Sequence, residues 1–235
     1  MPNDIFCFSG WAQQHNALEA LFDNKNFRLF SINYSAFHSY QNFVVNHHFL
    51  HHQPHILIGW SLGGQIALRL IADQILQPKY LVLLAPPFQM VKNVNVQSGM
   101  PPQTAQNFYQ NFAQKPLETL RQFSVLSSLN DINSNDINSK EMLKNLNVSV
   151  ENQQNWLAWL NELYSFSCFN LDFSHMPTTI YFHGENDAII NIGQAKYFQQ
   201  RIPNLHFYQM PNCGHAPHLN NPTFLTKIIS QHCEI

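Results

Sequence analysis

Six short apolar segments, rich in β-branched and aromatic residues, recur along the chain with helix-like stretches between them. This alternation constrains the fold most, because strands separated by helices form a parallel sheet that is covered on both faces. The predicted strands are Ile5–Phe8, Phe27–Ile32, His55–Ile58, Tyr80–Leu84, Thr178–Phe182 and Leu205–Gln209. After the third strand, Gln65–Leu76 has apolar residues at helical spacing. We therefore predict an α/β fold with a mainly parallel six-stranded sheet flanked by helices.

The alternation stops between Pro86 and His175, where no segment has the pattern of a strand. This stretch of about 90 residues is too long for a structureless loop in a compact domain. We predict a single domain over residues 1–235, with a helical lid inserted at about residues 87–175. The polar repeat at Asn130–Ser139 is interpreted as a helix–helix connection with no catalytic content.

Composition excludes several classes of function. The formal net charge is −2, so bulk charge gives no attraction to nucleic acid or to an anionic membrane. The N-terminal residues lack a basic region, and no apolar run approaches the roughly 18 residues of a membrane span. We expect a cytoplasmic monomer with neither a nucleic-acid nor a membrane partner.

The third strand runs into Gly59-Trp60-Ser61-Leu62-Gly63-Gly64, after which a helix begins. This is the G-x-S-x-G motif in a strand–turn–helix context, where the serine is displayed on a sharp turn above the sheet. Glycines two positions before and after the serine remove Cβ atoms that would collide across the turn. The pattern predicts that Ser61 is a nucleophile.

A serine hydroxyl needs an adjacent base, and in this arrangement an acid and then a histidine follow in chain order, each after a later strand. Asp187 follows the fifth strand and is the predicted acid, with Glu185 as the weaker alternative. His215 follows the sixth strand and is the predicted base. A surface loop histidine is the better description of His218, and His183 is interpreted as structural.

Two backbone N–H groups should hold the oxyanion that forms on the attacked carbonyl. We predict that these are the amides of Leu62, directly after the nucleophile, and of Trp11, in the loop after the first strand. Cys213 lies two residues before His215 and suggests thiol catalysis, but a buried structural cysteine is the favoured interpretation.

At these residues the chain resembles the α/β-hydrolase superfamily and, more narrowly, the pimeloyl-[acyl-carrier protein] methyl ester esterases of biotin synthesis. The resemblance rests on the motifs Gly10-Trp11, Gly59–Gly64, Gly184 with Asp187, and His215-Ala216-Pro217. The family usually has His-Gly-Trp in the first loop, whereas Ser9 stands in the histidine position here. The resemblance implies an α/β-hydrolase fold and a serine carboxylesterase that cleaves the methyl ester of a pimeloyl chain on acyl-carrier protein.

The resemblance also suggests which residues meet the substrate and its carrier. Aromatic side chains of the elbow and the lid would suit a methylene chain; they are Trp60, Phe108, Phe112, Phe123, Trp156 and Trp159. Simple core packing is the alternative for each of them. Carrier docking in that family uses basic lid residues, which here would be Arg121, Lys140 and Lys144.

Other interpretations remain open. His47, His48, His51, His52 and His55 place imidazoles at i and i+4 on a predicted helix, a spacing that can bind zinc, although a solvated helix face is favoured. We expect no metal and no cofactor. The alternative functions are a broad carboxylesterase or thioesterase acting on small acyl esters, and a non-catalytic binding protein with this fold.

Overall fold

A computed structural model describes residues 3–22, 27–129, 131–132 and 135–233. The strands are β1 (Asn3–Phe8), β2 (Phe27–Ser31), β3 (Ile56–Trp60), β4 (Tyr80–Leu84), β5 (Thr178–Gly184) and β6 (Leu205–Met210). The helices are α1 (Tyr40–Asn46), α2 (Leu62–Ala72), α3 (Pro102–Gln114), α4 (Pro116–Ser127), α5 (Asn135–Lys144), α6 (Gln153–Ser165), α7 (Ala195–Gln199), α8 (Pro217–Asn220) and α9 (Pro222–Cys233). Short 3₁₀ turns cover Glu19–Leu21, His48–His51, Cys168–Asn170 and Ile192–Gln194.

The six strands form one sheet in the order β2-β1-β3-β4-β5-β6, and every neighbouring pair is parallel. The predicted α/β fold is therefore confirmed, and each predicted strand agrees with an observed strand to within two residues at either end. All carboxyl ends point to the same edge of such a sheet, where ligand sites of open α/β sheets lie. The loops after β1, β3, β5 and β6 consequently meet there.

The inner strands β1, β3, β4 and β5 are buried on both faces over most of their length, which explains why they have little alternation of polar and apolar residues. Leu81 and Leu83 of β4 pack into one core, with α2 and α6, whereas Val82 and Leu84 pack into the other, with α9. All four side chains are fully buried. This arrangement holds the strand ends rigidly and fixes the positions of the loops that follow them.

Four helices, α3 to α6, lie between β4 and β5 in the chain, within the predicted lid segment. In the described part of this segment the only β contacts are isolated bridges, such as Gln89 with Ser167 and Val91 with Met100. Helix α3 packs on α4 and α6, and α4 packs on α5.

Two helix predictions need correction. The predicted helix Gln65–Leu76 begins earlier, at Leu62, because it starts directly behind the serine turn, and it ends at Ala72. The helix expected through His47–His52 ends at Asn46, since His47 adopts extended backbone angles of φ −95° and ψ 110°. The four residues that follow form a separate 3₁₀ turn. No helix in the described ranges combines the length and apolarity that crossing a membrane requires.

Candidate active site

Ser61 occupies a strained turn between β3 and α2. Its φ of 54° and ψ of −120° lie in a region that residues other than glycine rarely adopt. Such strain persists where the surrounding structure imposes it, commonly at functional sites. Here the Ser61 N–H donates to the carbonyl of Leu84 at 2.9 Å, which anchors the turn to the neighbouring strand.

The glycines of the motif allow this turn because there is no space for a Cβ. A Cβ on Gly59 would lie 2.5 Å from the carbonyl oxygen of Gly63, across the turn. A Cβ on Gly63 would overlap the carbonyl oxygen of Phe8, where α2 passes the end of β1. The spacing of the motif is therefore a packing requirement, and it leaves the Ser61 side chain at the sheet edge with 7% of its surface exposed.

The loops after β5 and β6 lie against each other. The N–H of Asn186 donates to the carbonyl of Cys213 at 3.0 Å, and that of Glu185 donates to the carbonyl of Met210 at 2.8 Å. Gly184 and Gly214 approach so closely that a Cβ on the former would collide with the carbonyl oxygen of the latter. This close approach brings the side chain of Asp187 next to the ring of His215.

Ser61, His215 and Asp187 form one continuous hydrogen-bonded chain. His215 Nε2 lies 2.8 Å from Ser61 Oγ, and His215 Nδ1 lies 2.8 Å from Asp187 Oδ2. A carboxylate only accepts, so Nδ1 carries the proton and the Nε2 lone pair faces the serine hydroxyl. This is the geometry that a general base needs to take the hydroxyl proton.

Asp187 is fully enclosed in the protein and yet is held in its charged form. Burial alone would raise its pKa, but the adjacent His215 and His183 outweigh burial, so the pKa of Asp187 lies below the usual range. The second oxygen, Oδ1, accepts the N–H groups of Ile189 and Ile190, each at 2.8 Å. Sequence reasoning identified this carboxyl and its partner His215, but neither these two N–H donors nor the adjacent His183.

The neighbouring candidates are placed differently. Glu185 is exposed. Cys213 is a buried free thiol whose pKa is raised by burial and by Asp131 and Asp187, so it is a poor source of thiolate. The expectation that His218 lies on the surface is wrong: it is 5% exposed and its ring packs 4.4 Å from that of Trp60. Burial lowers the pKa of His218 to about 3.

The two residues predicted to supply oxyanion donors lie beside Ser61. Leu62 is the first residue of α2, and N–H groups in the first turn of a helix have no acceptor within that helix. Trp11 follows β1 and borders the same cavity as Ser61. Its side chain is fixed by a hydrogen bond from indole Nε1 to the carbonyl of Trp156, at 2.9 Å.

A cavity of about 530 Å³ opens above Ser61. Of the six aromatic side chains predicted to contact substrate, Phe108 and Phe123 border it. The structure corrects the expectation for the other four, which pack in the core instead of on the cavity wall: Trp60, Phe112, Trp156 and Trp159. Each of these four is at most 1% exposed, and the indole of Trp60 donates to the carbonyl of His215 at 2.9 Å.

Aliphatic residues that sequence reasoning missed also line the cavity, notably Leu160 and Leu163 of α6, Met90 and Ile189. Nothing in the local sequence separates them from ordinary core residues. The apolar wall and the polar end at Ser61 and Asp187 together suit a ligand with a hydrocarbon portion and a reactive polar group.

The segment Asn130–Ser139 was expected to connect two helices, but its second half belongs to α5, and its residue Asp131 contacts the loop of the predicted base. Asp131 Oδ1 accepts the N–H of Gly214 at 2.6 Å, and Oδ2 accepts the amide of Asn138 at 2.7 Å. The N–H of His215 donates to the carbonyl of Ser127 at 2.7 Å. The segment between β4 and β5 thus supports the loop that carries the predicted base. Asn130, Asn133 and Ser134 of this segment lie outside the described residues.

The basic residues predicted for carrier docking are exposed on two packed helices: Arg121 lies on α4, and Lys140 and Lys144 lie on α5. Lys144 pairs with Glu141 at 2.9 Å. Within the described residues, no group of three or more His, Cys, Asp or Glu side chains is arranged to hold a metal ion. The ring of His47 packs instead on Phe43, with ring centres 4.8 Å apart.

Comparisons with known proteins agree with this geometry. A family model described as the alpha/beta hydrolase fold matches residues 32–222. The pimeloyl-[acyl-carrier protein] methyl ester esterase of Nitrosomonas europaea is 27% identical over 183 residues, which cover 70% of this chain and 65% of that protein. The protein of the same name from Aromatoleum aromaticum is 29% identical over 178 residues, covering 71% and 69%. The resemblance predicted from the motifs is therefore confirmed.

A biotin biosynthesis bifunctional protein of Teredinibacter turnerae is 28% identical over 187 residues, covering 74% of this chain and 32% of that protein. The chain thus spans about a third of this bifunctional relative and about two thirds of the esterases.

Solved structures support the fold. The esterase from Exiguobacterium antarcticum superposes with a TM-score of 0.81 at 14% identity, over 99% of this chain and 92% of that one. A bromoperoxidase from Bacillus anthracis superposes with a TM-score of 0.80 at 15% identity, over 100% of this chain and 93% of that one. At these identities the likeness concerns the fold alone.

Proposed function

We propose that this chain, which belongs to the alpha/beta hydrolase fold family, is a carboxylic ester hydrolase that cleaves the methyl ester of a pimeloyl chain attached to acyl-carrier protein, a step of biotin synthesis. The observation that carries the proposal is the hydrogen-bonded chain of Ser61, His215 and Asp187 at the end of an apolar cavity. Two relatives that are 27% and 29% identical to it over the aligned residues are named pimeloyl-[acyl-carrier protein] methyl ester esterase.

The proposed reaction proceeds through an acyl-enzyme. His215 Nε2 takes the hydroxyl proton as Ser61 Oγ attacks the ester carbonyl, and the amides of Leu62 and Trp11 hold the oxyanion. The intermediate collapses, and methanol leaves with the proton from His215. Water, deprotonated by the same nitrogen, then attacks the acyl-enzyme and releases the carboxylic acid. Asp187 holds the Nδ1–H tautomer of His215 and stabilises the imidazolium.

The cavity is compatible with the acyl portion of this substrate. Its volume of about 530 Å³ falls within the range of small-molecule sites, roughly 300–1,000 Å³. Phe108 and Phe123, from α3 and α4, offer apolar surface for methylene groups. We propose that residues about 87–175 act as a lid over this cavity, with the chain entering between the lid and the sheet edge.

Acyl-carrier protein is acidic, so a carrier-linked substrate calls for basic groups on the enzyme. Arg121, Lys140 and Lys144 are exposed on the packed pair α4 and α5. We propose that they form the docking surface. Electrostatic complementarity of this kind acts mainly on association, and salt weakens it.

The experiment compares methyl-ester cleavage of pimeloyl-acyl-carrier protein with that of a free pimelate methyl ester. We expect the carrier-linked ester to be preferred and Ser61→Ala to abolish both activities. Equal or better turnover of the free ester would instead indicate a broad carboxylesterase or thioesterase. A wild-type enzyme that reacts with neither ester, and that a fluorophosphonate fails to label, would indicate a non-catalytic binding protein.

A charge-reversal triple variant of Arg121, Lys140 and Lys144 to Glu tests the docking surface. We expect its KM for the carrier-linked ester to rise by about tenfold or more, since like charges now face the carrier, with no change for the free ester. Lys227→Glu on α9 is a control for reversing a charge elsewhere on the surface, because Lys227 is exposed but lies outside the predicted lid. An equal effect of both variants would contradict a local docking surface.

A further inference from the structure

His183 lies in the protein interior directly behind the candidate acid. It belongs to β5, its side chain is 0% exposed, and its Nε2 lies 3.2 Å from Asp187 Oδ2. Asp187 Oδ2 therefore lies between two imidazoles, His215 at 2.8 Å on one side and His183 on the other. The proposed mechanism uses only the first of them.

The hydrogen bonds of His183 define its tautomer. Nε2 lies 2.8 Å from the carbonyl oxygen of Ile190. Because a carbonyl oxygen can only accept, Nε2 carries a proton, which it donates to Ile190, and the carboxylate of Asp187 lies 3.2 Å from the same nitrogen. Nδ1 is then left with its lone pair.

Tyr181 provides the matching donor for Nδ1. The two residues are two positions apart on one strand, so their side chains share a face of the sheet. The Tyr181 hydroxyl lies 2.6 Å from His183 Nδ1. Burial raises the pKa of Tyr181 well above its ordinary value, so the phenol stays protonated and donates.

We propose that Tyr181 and His183 are positioning residues for the proposed esterase reaction, fixing the orientation and the charge of Asp187 through the Nε2–H of His183. This inference rests on the proposed function, because it assumes that Asp187 acts through His215. The carboxylate accepts three hydrogen bonds, two from backbone N–H groups on Oδ1 and one from His215 on Oδ2, and the protonated Nε2 of His183 lies 3.2 Å from Oδ2. Removing the His183 N–H from beside Oδ2 leaves a more basic carboxylate that is less firmly oriented.

Both consequences predict a change that a loss of packing alone would not produce. A carboxylate with fewer donors attracts the His215 proton more strongly. Asp187 itself also becomes easier to protonate. Each effect moves the acid limb of the kcat/KM–pH profile to higher pH. The other ionisable groups that interact with Asp187 or His215 are Asp131, Cys213 and His218, and the substitutions below leave these three residues unchanged.

The test uses a short p-nitrophenyl ester, so that it does not depend on the carrier protein or on the pimeloyl chain. His183→Met removes the N–H donor and keeps much of the volume. We expect kcat to fall about tenfold to a hundredfold, as misplacement of a catalytic group by about 1 Å does, with KM little changed. The acid limb should move up by about one pH unit, the scale of one lost charge interaction. His183→Gln places an amide N–H near the position of Nε2 and should restore most of the activity and of the profile.

Tyr181→Phe is the second variant and covers the case in which His183→Met does not fold. It removes only the hydroxyl that fixes the His183 tautomer, and we expect a smaller shift of the same sign. Unchanged kcat and pH profile in a folded His183→Met, or in Tyr181→Phe, would overturn the inference. A loss equal in His183→Met and His183→Gln with an unmoved acid limb would also overturn it, since that is the result of packing alone. A wild-type enzyme that cleaves no ester would refute the proposed function instead.

Discussion

Asp131 offers a sharp test of how the segment between β4 and β5 supports the candidate base. Asp131 is 9% exposed, and its carboxylate accepts the N–H of Gly214 at 2.6 Å and the amide of Asn138 at 2.7 Å. Gly214 is the residue before His215, so the first of these bonds holds the His215 loop. Asp131→Ala removes both acceptors and leaves two buried donors without their partner.

The size of the effect follows from these contacts. A hydrogen bond to a charged group contributes about 1.5–3 kcal/mol, which gives about 3–6 kcal/mol for two. Part of this is offset because the buried carboxylate of the wild type carries a desolvation cost that the variant avoids. We expect Asp131→Ala to be about 2–4 kcal/mol less stable, and therefore to melt roughly 4–16 °C lower, at about 2–4 °C per kcal/mol for a chain of this size. Loosening of the His215 loop should lower kcat by about tenfold.

Asp131→Asn is the matched control because it keeps the volume and an oxygen for the Gly214 N–H. Burial raises the pKa of Asp131, the Asn138 and Gly214 bonds offset part of this, and Asp187 raises the pKa further. A carboxyl whose pKa is higher in the folded protein costs stability as the pH rises above its unfolded pKa, about 3.9. Asp131→Asn should therefore be as stable as the wild type below about pH 4 and increasingly more stable than the wild type as the pH rises.

Thermal unfolding followed by circular dichroism across this pH range measures both variants, and p-nitrophenyl ester turnover reports on the loop. The reasoning is refuted if Asp131→Ala melts within about 1 °C of the wild type with unchanged kcat. It is also refuted if Asp131→Asn loses stability relative to the wild type with rising pH.

Three further outcomes follow from burial and placement. Phe112→Ala should lower the free energy of unfolding by about 3–5 kcal/mol in denaturant unfolding, because Phe112 is fully buried. Phe108→Ala changes the cavity wall, so it should cost less stability and shift the preferred acyl length. Equal losses of stability in the two variants would contradict this distinction. Cys213→Ala should keep esterase activity, and thiol reagents should leave the native enzyme active, since burial raises the pKa of this thiol; rapid inactivation would contradict it. Burial lowers the pKa of His218 to about 3, so the wild type should lose stability as the pH falls from about 6.5 toward 3. His218→Phe should reduce this loss when melting is measured across that pH range. An unchanged acid sensitivity of the variant would contradict the assignment of this loss to His218.

The features that the sequence predicted are those that local rules determine. The Ser61 turn follows from glycines whose Cβ atoms would meet atoms of the same turn or of the neighbouring strand. Asp187 and His215 could be predicted because each follows its own strand, and parallel strands end at one edge. The relevant information in these cases lies within a few residues of each position.

The features that it did not predict depend on contacts between distant parts of the chain. His183 and Asp131 look like ordinary polar residues until β5 meets the Ile190 turn and the α4–α5 connection meets the β6 loop. Phe108 borders the cavity and Phe112 does not, although the two are one turn apart on α3. Helical periodicity shows that both lie on a buried side of the helix, but it does not show which part of that side faces a cavity.

Backbone hydrogen bonds between the α4–α5 connection and the loop after β6 limit how the proposed lid can move. The N–H of His215 donates to the Ser127 carbonyl at 2.7 Å, and that of Ile132 donates to the Asn212 carbonyl at 3.0 Å. Opening at the α4–α5 end would break these bonds and displace the proposed base. We therefore expect opening at α3, so hydrogen exchange should be faster in α3 than at Gly214 and His215, and covalent occupation of Ser61 should slow exchange mainly in α3. Faster exchange at the His215 loop would show instead that the loop and the lid open together, and that the base is assembled only on closure.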